Sequence, residues 1–217
     1  MTKSERLKEF YNSLYSHYGP QHWWPAESIL ECILGAILTQ NTSWKNVEKA
    51  LNLLKSNKLI SIDELYTIPT HSLAKLIRSS GYFNQKANKI KNFINFAKLK
   101  YNGSLEEMFA EDAMRLRGKL LEIKGIGPET ADSILLYAGR KPIFVVDAYT
   151  HRILSRHGLI PEVTSYDEIQ ELFMGVLPRD TNLFNEYHAL LVKVGKEHCK
   201  RKPICKGCPL EYDPHTV

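Results

Sequence analysis

Two places in this chain carry residues whose types and spacing suit chemistry. The first is the stretch from Leu120 to Leu154, LLEIKGIGPETADSILLYAGRKPIFVVDAYTHRIL. Gly125-Ile126-Gly127 stands there between an apolar segment and Pro128, a residue suited to a first helical position. Glycines at such a turn let the backbone approach a ligand closely, and the N–H groups opening the next helix suit a phosphate. Further on, Asp147 ends the apolar run Ile143-Phe144-Val145-Val146 and precedes Ala148-Tyr149, which sets a carboxylate at a surface. Such a carboxylate can stabilise developing positive charge or take a proton from water. By themselves the same residues also describe a helix-to-helix turn without a ligand and a solvated loop aspartate.

The second place is the C-terminal segment HCKRKPICKGCP, His198 to Pro209, which holds Cys199, Cys205 and Cys208. The N-terminus, MTKSERLKEFYNSLYSHYG, lacks the apolar core of a secretion signal. Clustered cysteines in such a chain argue for a metal or iron-sulfur site over a disulfide framework. Zinc is the alternative occupant. Lys200, Arg201, Lys202 and Lys206, set among the thiols, suit contact with phosphate, or form a solvated loop. Cys32, within an apolar run, reads as a small buried hydrophobe.

The elements that must hold these groups are helical. Ser61-x-x-Glu64, Ser104-x-x-Glu107 and Ser165-x-x-Glu168 have the form of N-terminal capping boxes. Ile90, Phe93, Ile94 and Ala97 make one apolar helix face, and Ile29 to Leu38 predicts a buried core helix too short to cross a bilayer. Only Ile143 to Val146 reads as a strand, and one short run cannot make a sheet, so the fold class is all-α. The excess of Lys and Arg over Asp and Glu, 29 to 24, suits a polyanionic partner without proving one.

Together these residues resemble the helix-hairpin-helix and catalytic aspartate loop of the endonuclease III superfamily of DNA glycosylases. Leu38-Thr39-Gln40-Asn41-Thr42 resembles the segment that inserts a glutamine into the duplex, and Gly81-Tyr82-Phe83-Asn84-Gln85-Lys86-Ala87 the wedge loop. The resemblance implies two helical domains: 26–137, a six-helix domain containing the hairpin, and 1–25 with 138–217, formed by both chain ends. Double-stranded DNA with a damaged base would bind across the cleft between them. Gln40, Asn41, Tyr82, Lys124, Gly125, Gly127 and Thr130 would contact it, together with the basic loop residues. The cysteine segment resembles that superfamily's [4Fe-4S] loop, with a first gap one residue shorter and no cysteine after Cys208. His215, Asp213 or an exogenous group would then supply the fourth ligand. A soluble, cytoplasmic, nucleoid-associated monomer is the expected setting.

Bifunctional members keep a nucleophilic lysine two residues after the second hairpin glycine, where this chain has Glu129. A carboxylate cannot form an imine, so hydrolysis by Asp147 is the implied chemistry. Lys124, the nearest other amine, lies on the far side of the turn. Gly35 stands where adenine glycosylases carry a glutamate. Trp23, Trp24, Pro25 and Trp44, with Glu129, are the expected base pocket, because indole faces attract a flipped cationic base. HWWPAESILECILGAILTQNT is most similar to the 3-methyladenine branch, which implies excision of alkylated purines. Mismatch uracil or thymine excision, and non-catalytic damage binding, are the alternatives.

Overall fold

The computed structural model describes residues Met1–Thr216. In chain order its helices are α1 (Lys3–Tyr18), α2 (Ile29–Leu38), α3 (Trp44–Ser56), α4 (Ile62–Thr67), α5 (Thr70–Leu76) and α6 (Phe83–Tyr101). There follow α7 (Leu105–Ala110), α8 (Ala113–Leu121), α9 (Pro128–Ser133), α10 (Ala148–Arg156), α11 (Tyr166–Val176) and α12 (Thr181–Glu197). A 3-10 turn at Arg78–Ser80 and a π-helical turn at Ile134–Ala138 complete the set, and the described residues contain no strand. The all-α expectation holds. No helix among them is long and apolar enough to cross a membrane.

The chain divides into two compact units, Pro25–Lys141 with α2 to α9, and Met1–Trp24 plus Pro142–Val217 with α1 and α10 to α12. In the first, α2 is the core: every residue from Leu30 to Leu38 is buried. A helix apolar all round must lie inside others, and α3, α6 and α9 pack on it. Glu31 tolerates burial because Lys55 Nζ lies 2.7 Å from its carboxylate. Burial pushes the Cys32 thiol up to about 12, which leaves it an inert hydrophobe. Ile90, Phe93, Ile94 and Ala97 of α6 are buried on one face.

The expected helix starts fare unequally. Ser165 and Glu168 form a complete capping box, and Ser104 accepts from Glu107 N. At Ser61 no side-chain cap forms. Instead α4 is secured by a Lys98–Asp63 pair at 2.6 Å and by Lys91, whose Nζ donates to the carbonyls of Leu65, Tyr66 and Ile68 at the helix end.

In the second unit α12 packs on α10 and α1. The strand-like run Ile143–Val146 is buried but stands alone, because no neighbouring strand offers it a ladder. Side chains of α11 satisfy its backbone instead: Gln170 Nε2 donates to Phe144 O at 2.6 Å, and Val146 N donates to Tyr166 Oη at 3.3 Å. Phe144 stacks on Phe173 with centroids 3.9 Å apart. This anchored segment delivers Asp147 to the start of α10.

Candidate functional site

Asp147 is the N-cap of α10, so its carboxylate is shaped by the helix it begins. Oδ1 accepts from Thr150 N at 2.7 Å and from Thr150 Oγ1 at 2.9 Å. Oδ2 faces His188 of α12, 3.7 Å from its Nε2. The carboxylate is only 12% exposed, which removes it from the class of solvated loop aspartates. Burial pushes the His188 imidazole below its ordinary range, opposed by the charge of Asp147. The pair is held by two packed helices, α10 and α12. Their close approach depends on Gly195 of α12, where a Cβ would stand 2.5 Å from Tyr149 Cδ1.

The middle and far end of α10 grip the cysteine loop. Arg152 Nε donates to Cys199 O at 2.7 Å, and Arg156 Nη1 donates to Lys200 O at 2.6 Å and Cys199 Sγ at 3.3 Å. Cys199, Cys205 and Cys208, each half-buried, line one small hollow with His198 and His215. Donors of the right chemistry therefore share a hollow, yet no three His, Cys, Asp or Glu groups among the described residues are gathered closely enough to hold a metal ion. Asp213, one expected fourth ligand, is engaged elsewhere: its side chain is buried, with Arg6 Nε at 2.8 Å and Nη2 at 2.5 Å and His157 Nδ1 at 2.8 Å on its two oxygens. His215 differs, because its Nδ1 lies 2.8 Å from Asp213 O, a contact that leaves Nε2 as the acceptor nitrogen. Lys200, Arg201, Lys202 and Lys206 are exposed.

In the unit Pro25–Lys141, the two hairpin glycines have different grounds. Gly125 has φ +97, and a Cβ there would meet Lys89 Cγ at 2.7 Å. Gly127 is the extended N-cap of α9, with nothing within 4 Å of the place a Cβ would take, so the chain itself does not require glycine there. Arg117 fixes the following helix through a bidentate pair with the buried Asp132, at 2.7 and 3.1 Å. Gln85, Asn88, Lys89, Asn92, Lys124 and Gly125 line an open groove beside the turn.

Gln40 and Thr130 are brought together: Gln40 Nε2 donates to Thr130 Oγ1 at 2.5 Å, while Lys89 Nζ donates to Gln40 Oε1. Asn41 and Tyr82 occupy left-handed backbone, φ 52 and φ 45, and Tyr82 is 66% exposed. For a bulky Tyr that conformation is costly and marks a loop held in place by its surroundings. Beneath both loops lies Lys86, buried, whose Nζ donates to Leu38 O at 2.9 Å and Ser80 O at 2.6 Å. Burial first, and then the charge of Lys89, push its ammonium down to about 8.

The expected base-pocket residues are divided between the units. Trp23 and Trp24 share the unit of Asp147, with their rings edge to face at 5.4 Å. Lys196 Nζ stands 5.8 Å from the Trp23 ring, so one indole already has a cationic neighbour. Pro25, Trp44 and Glu129 belong to the other unit. Pro25 and Trp44 line an open hollow with Glu27, Glu31, Glu48 and Lys55, and Trp44 Nε1 donates to Glu48 at 2.9 Å. Glu129 is exposed in the first turn of α9.

Sequence reasoning placed Lys86 in the wedge loop without a role of its own, and missed Lys89, Arg152, Arg156 and His188. Thr150, three residues after Asp147, carried a readable cap spacing. The others act on partners in other elements, and no local pattern marks those pairings.

Comparison with known proteins narrows the meaning of this arrangement. Residues 34–179 match the family model described as the HhH-GPD superfamily base excision DNA repair protein. The chain is 47% identical over 211 residues to a candidate DNA repair glycosylase of Methanocaldococcus jannaschii, covering 96% of each. Among solved structures it resembles the 3-methyladenine DNA glycosylase of H. pylori bound to 1,N6-ethenoadenine, at TM-score 0.77 and 31% identity, over 91% of this chain and 98% of that one. It also shares the fold of endonuclease III in a non-covalent DNA complex, at TM-score 0.84 and 22% identity, over 99% and 96% of the two chains. With a matched segment that runs from α2 through the hairpin, Asp147 and α11, this chain belongs to the HhH-GPD superfamily of base excision DNA repair proteins.

Proposed function

We propose that this protein is a monofunctional DNA N-glycosylase that binds damaged double-stranded DNA, flips out the lesion and hydrolyses its glycosidic bond. The observation that carries the reading is the Asp147 carboxylate, fixed at the head of α10, in a chain with Glu129 in place of a Schiff-base lysine. In the reaction the C1′–N bond breaks and the base leaves with the bonding electrons. Asp147 stabilises the cationic sugar and receives the proton of the water whose oxygen bonds to C1′. Gln40 and Tyr82 enter the stack at the lesion. The hairpin at Gly125 and Gly127, with Lys124, takes phosphate on its exposed backbone N–H groups.

Alkylated purines such as 3-methyladenine are the proposed substrates. A positively charged base departs without a general acid, which suits a site built on one carboxylate. Kinship with the H. pylori enzyme supports this class, as does the set of Trp23, Trp24, Pro25 and Trp44. At the C-terminus, Cys199, Cys205, Cys208 and His215 Nε2 are proposed to hold a [4Fe-4S] cluster that pins the loop and presents Lys200, Arg201, Lys202 and Lys206 to phosphate. The group supplies structure only, since base hydrolysis moves no electrons.

The test is chromatography of free bases released from methylated, uracil-containing and mismatched duplexes. Methylpurine release with an uncleaved abasic product supports the reading. Release of uracil or thymine alone overturns the substrate class, and a borohydride-trapped adduct overturns the hydrolytic mechanism. Iron and sulfide analysis of anaerobically purified protein tests the cluster, which stoichiometric zinc would exclude.

A further inference from the structure

The feature least explained by packing is Lys86. It is 2% exposed, lies in the first turns of α6, and places its ammonium in the core. Burying a cation is costly, and Met would fill much the same volume at no such cost. Its hydrogen bonds show what is gained. Leu38 is the last residue of α2, so its carbonyl belongs to the set a helix end leaves unpaired, at the negative end of the dipole. Ser80 is the last residue of the 3-10 turn. Two residues beyond Leu38 comes Gln40, then Asn41 in left-handed backbone; two beyond Ser80 comes Tyr82, also left-handed. One buried ammonium therefore ties together the roots of both loops.

We infer that Lys86 is a positioning residue that fixes the separation and aim of the Gln40–Asn41 and Gly81–Tyr82 tips, so that both enter a duplex at one lesion. The inference rests on the reading of Gln40 and Tyr82 as stack-entering residues. Lys86 itself touches no DNA. Its two bonds are shielded from water, which lets them act as a fixed spacer between the half-buried Gln40, which Thr130 and Lys89 also hold, and the exposed Tyr82.

The experiment uses the full-length protein and Lys86→Met. The probe is a duplex with an abasic-site analogue opposite 2-aminopurine, whose fluorescence rises when it is unstacked. Wild type is expected to give the rise. K86M is expected to bind undamaged duplex as wild type does, to lose the rise, and to excise methylpurine about 10²-fold more slowly, as for a reacting geometry displaced by about 1 Å. In that background Gln40→Ala has no further effect on fluorescence or rate, whereas in wild type it reduces both. A purely structural lysine would instead leave the Gln40→Ala effect intact. If K86M does not melt cooperatively, Lys86→Gln, which keeps one amide donor, is measured in its place. Loss of the rise in the folded variant upholds the assignment. A full rise with the Gln40→Ala effect preserved overturns it, and a wild-type protein that gives no rise overturns both this inference and the reading beneath it.

Discussion

Asp147→Asn separates the two things this side chain does. As the α10 N-cap, Asp147 offers Oδ1 to Thr150 N and Oγ1. Asparagine caps about as well as aspartate, so those bonds survive the change, and the loss of charge at the helix start costs about 0.3–1 kcal/mol. For a chain of this size that lowers Tm by less than about 4 °C. Chemistry is affected far more. The amide neither balances a cationic sugar nor accepts a proton from water, and removing one such electrostatic contact costs about 10²–10³-fold in rate. Asp147→Ala gives the complementary result, loss of the cap at about 1 kcal/mol together with the same loss of rate. Single-turnover release of methylpurine from a methylated duplex, with melting curves and duplex affinity measured beside it, is the assay. Excision by D147N within about threefold of wild type, a difference of under ~1 kcal/mol, would show that Asp147 is a helix cap and nothing more.

Three further outcomes follow from the same geometry. Glu129→Lys, at an exposed site, should leave stability within about 0.5 kcal/mol and create a borohydride-trappable DNA adduct that wild type lacks; no adduct would place residue 129 away from the sugar. His188 titrates below its ordinary range in the folded protein, so the unfolded chain binds the extra proton first as pH falls. Its contribution is complete above about 6.5, the unfolded value, and is lost as pH drops through the folded value, so Tm should fall from pH 7 to 5 less steeply in His188→Gln; equal slopes would refute this. Arg117→Ala strips the buried Asp132 of its bidentate partner and should cost about 3–5 kcal/mol, seen as a Tm lower by roughly 10 °C, while the same Tm would mean that Asp132 has found other support.

What could be read in the chain was what is local. The apolar α2, the face of α6, Pro128 at the start of α9 and the Ser165 box each rest on spacings of a few residues, and each stands in the structure. Asp147 was legible because an apolar run stops at it. The Ser61 box did not form, and the contacts that α4 does make, from Lys91 and Lys98 of another helix, are ones that spacing does not encode. The same blindness hid the reach of Lys86 to Leu38, of His188 to Asp147 and of the arginine clamp to the cysteine loop, each joining residues more than 40 positions apart in the chain. Asp213 shows the same limit: an acidic residue near cysteines suggests a ligand, and spacing does not reveal that Arg6 at the opposite end of the chain engages its carboxylate.

Helix α10 has one further consequence. At about 1.5 Å per residue, Arg152 and Arg156 stand roughly 8 and 13 Å along it from the cap, with the carboxylate at the head and the thiol loop held from the middle to the far end. A short helix of this kind opens as a unit rather than bond by bond. Amide hydrogens from His151 to Arg156 should therefore exchange at the rate at which the loop detaches, and any treatment that frees the loop will slacken the footing of Asp147 in the same event.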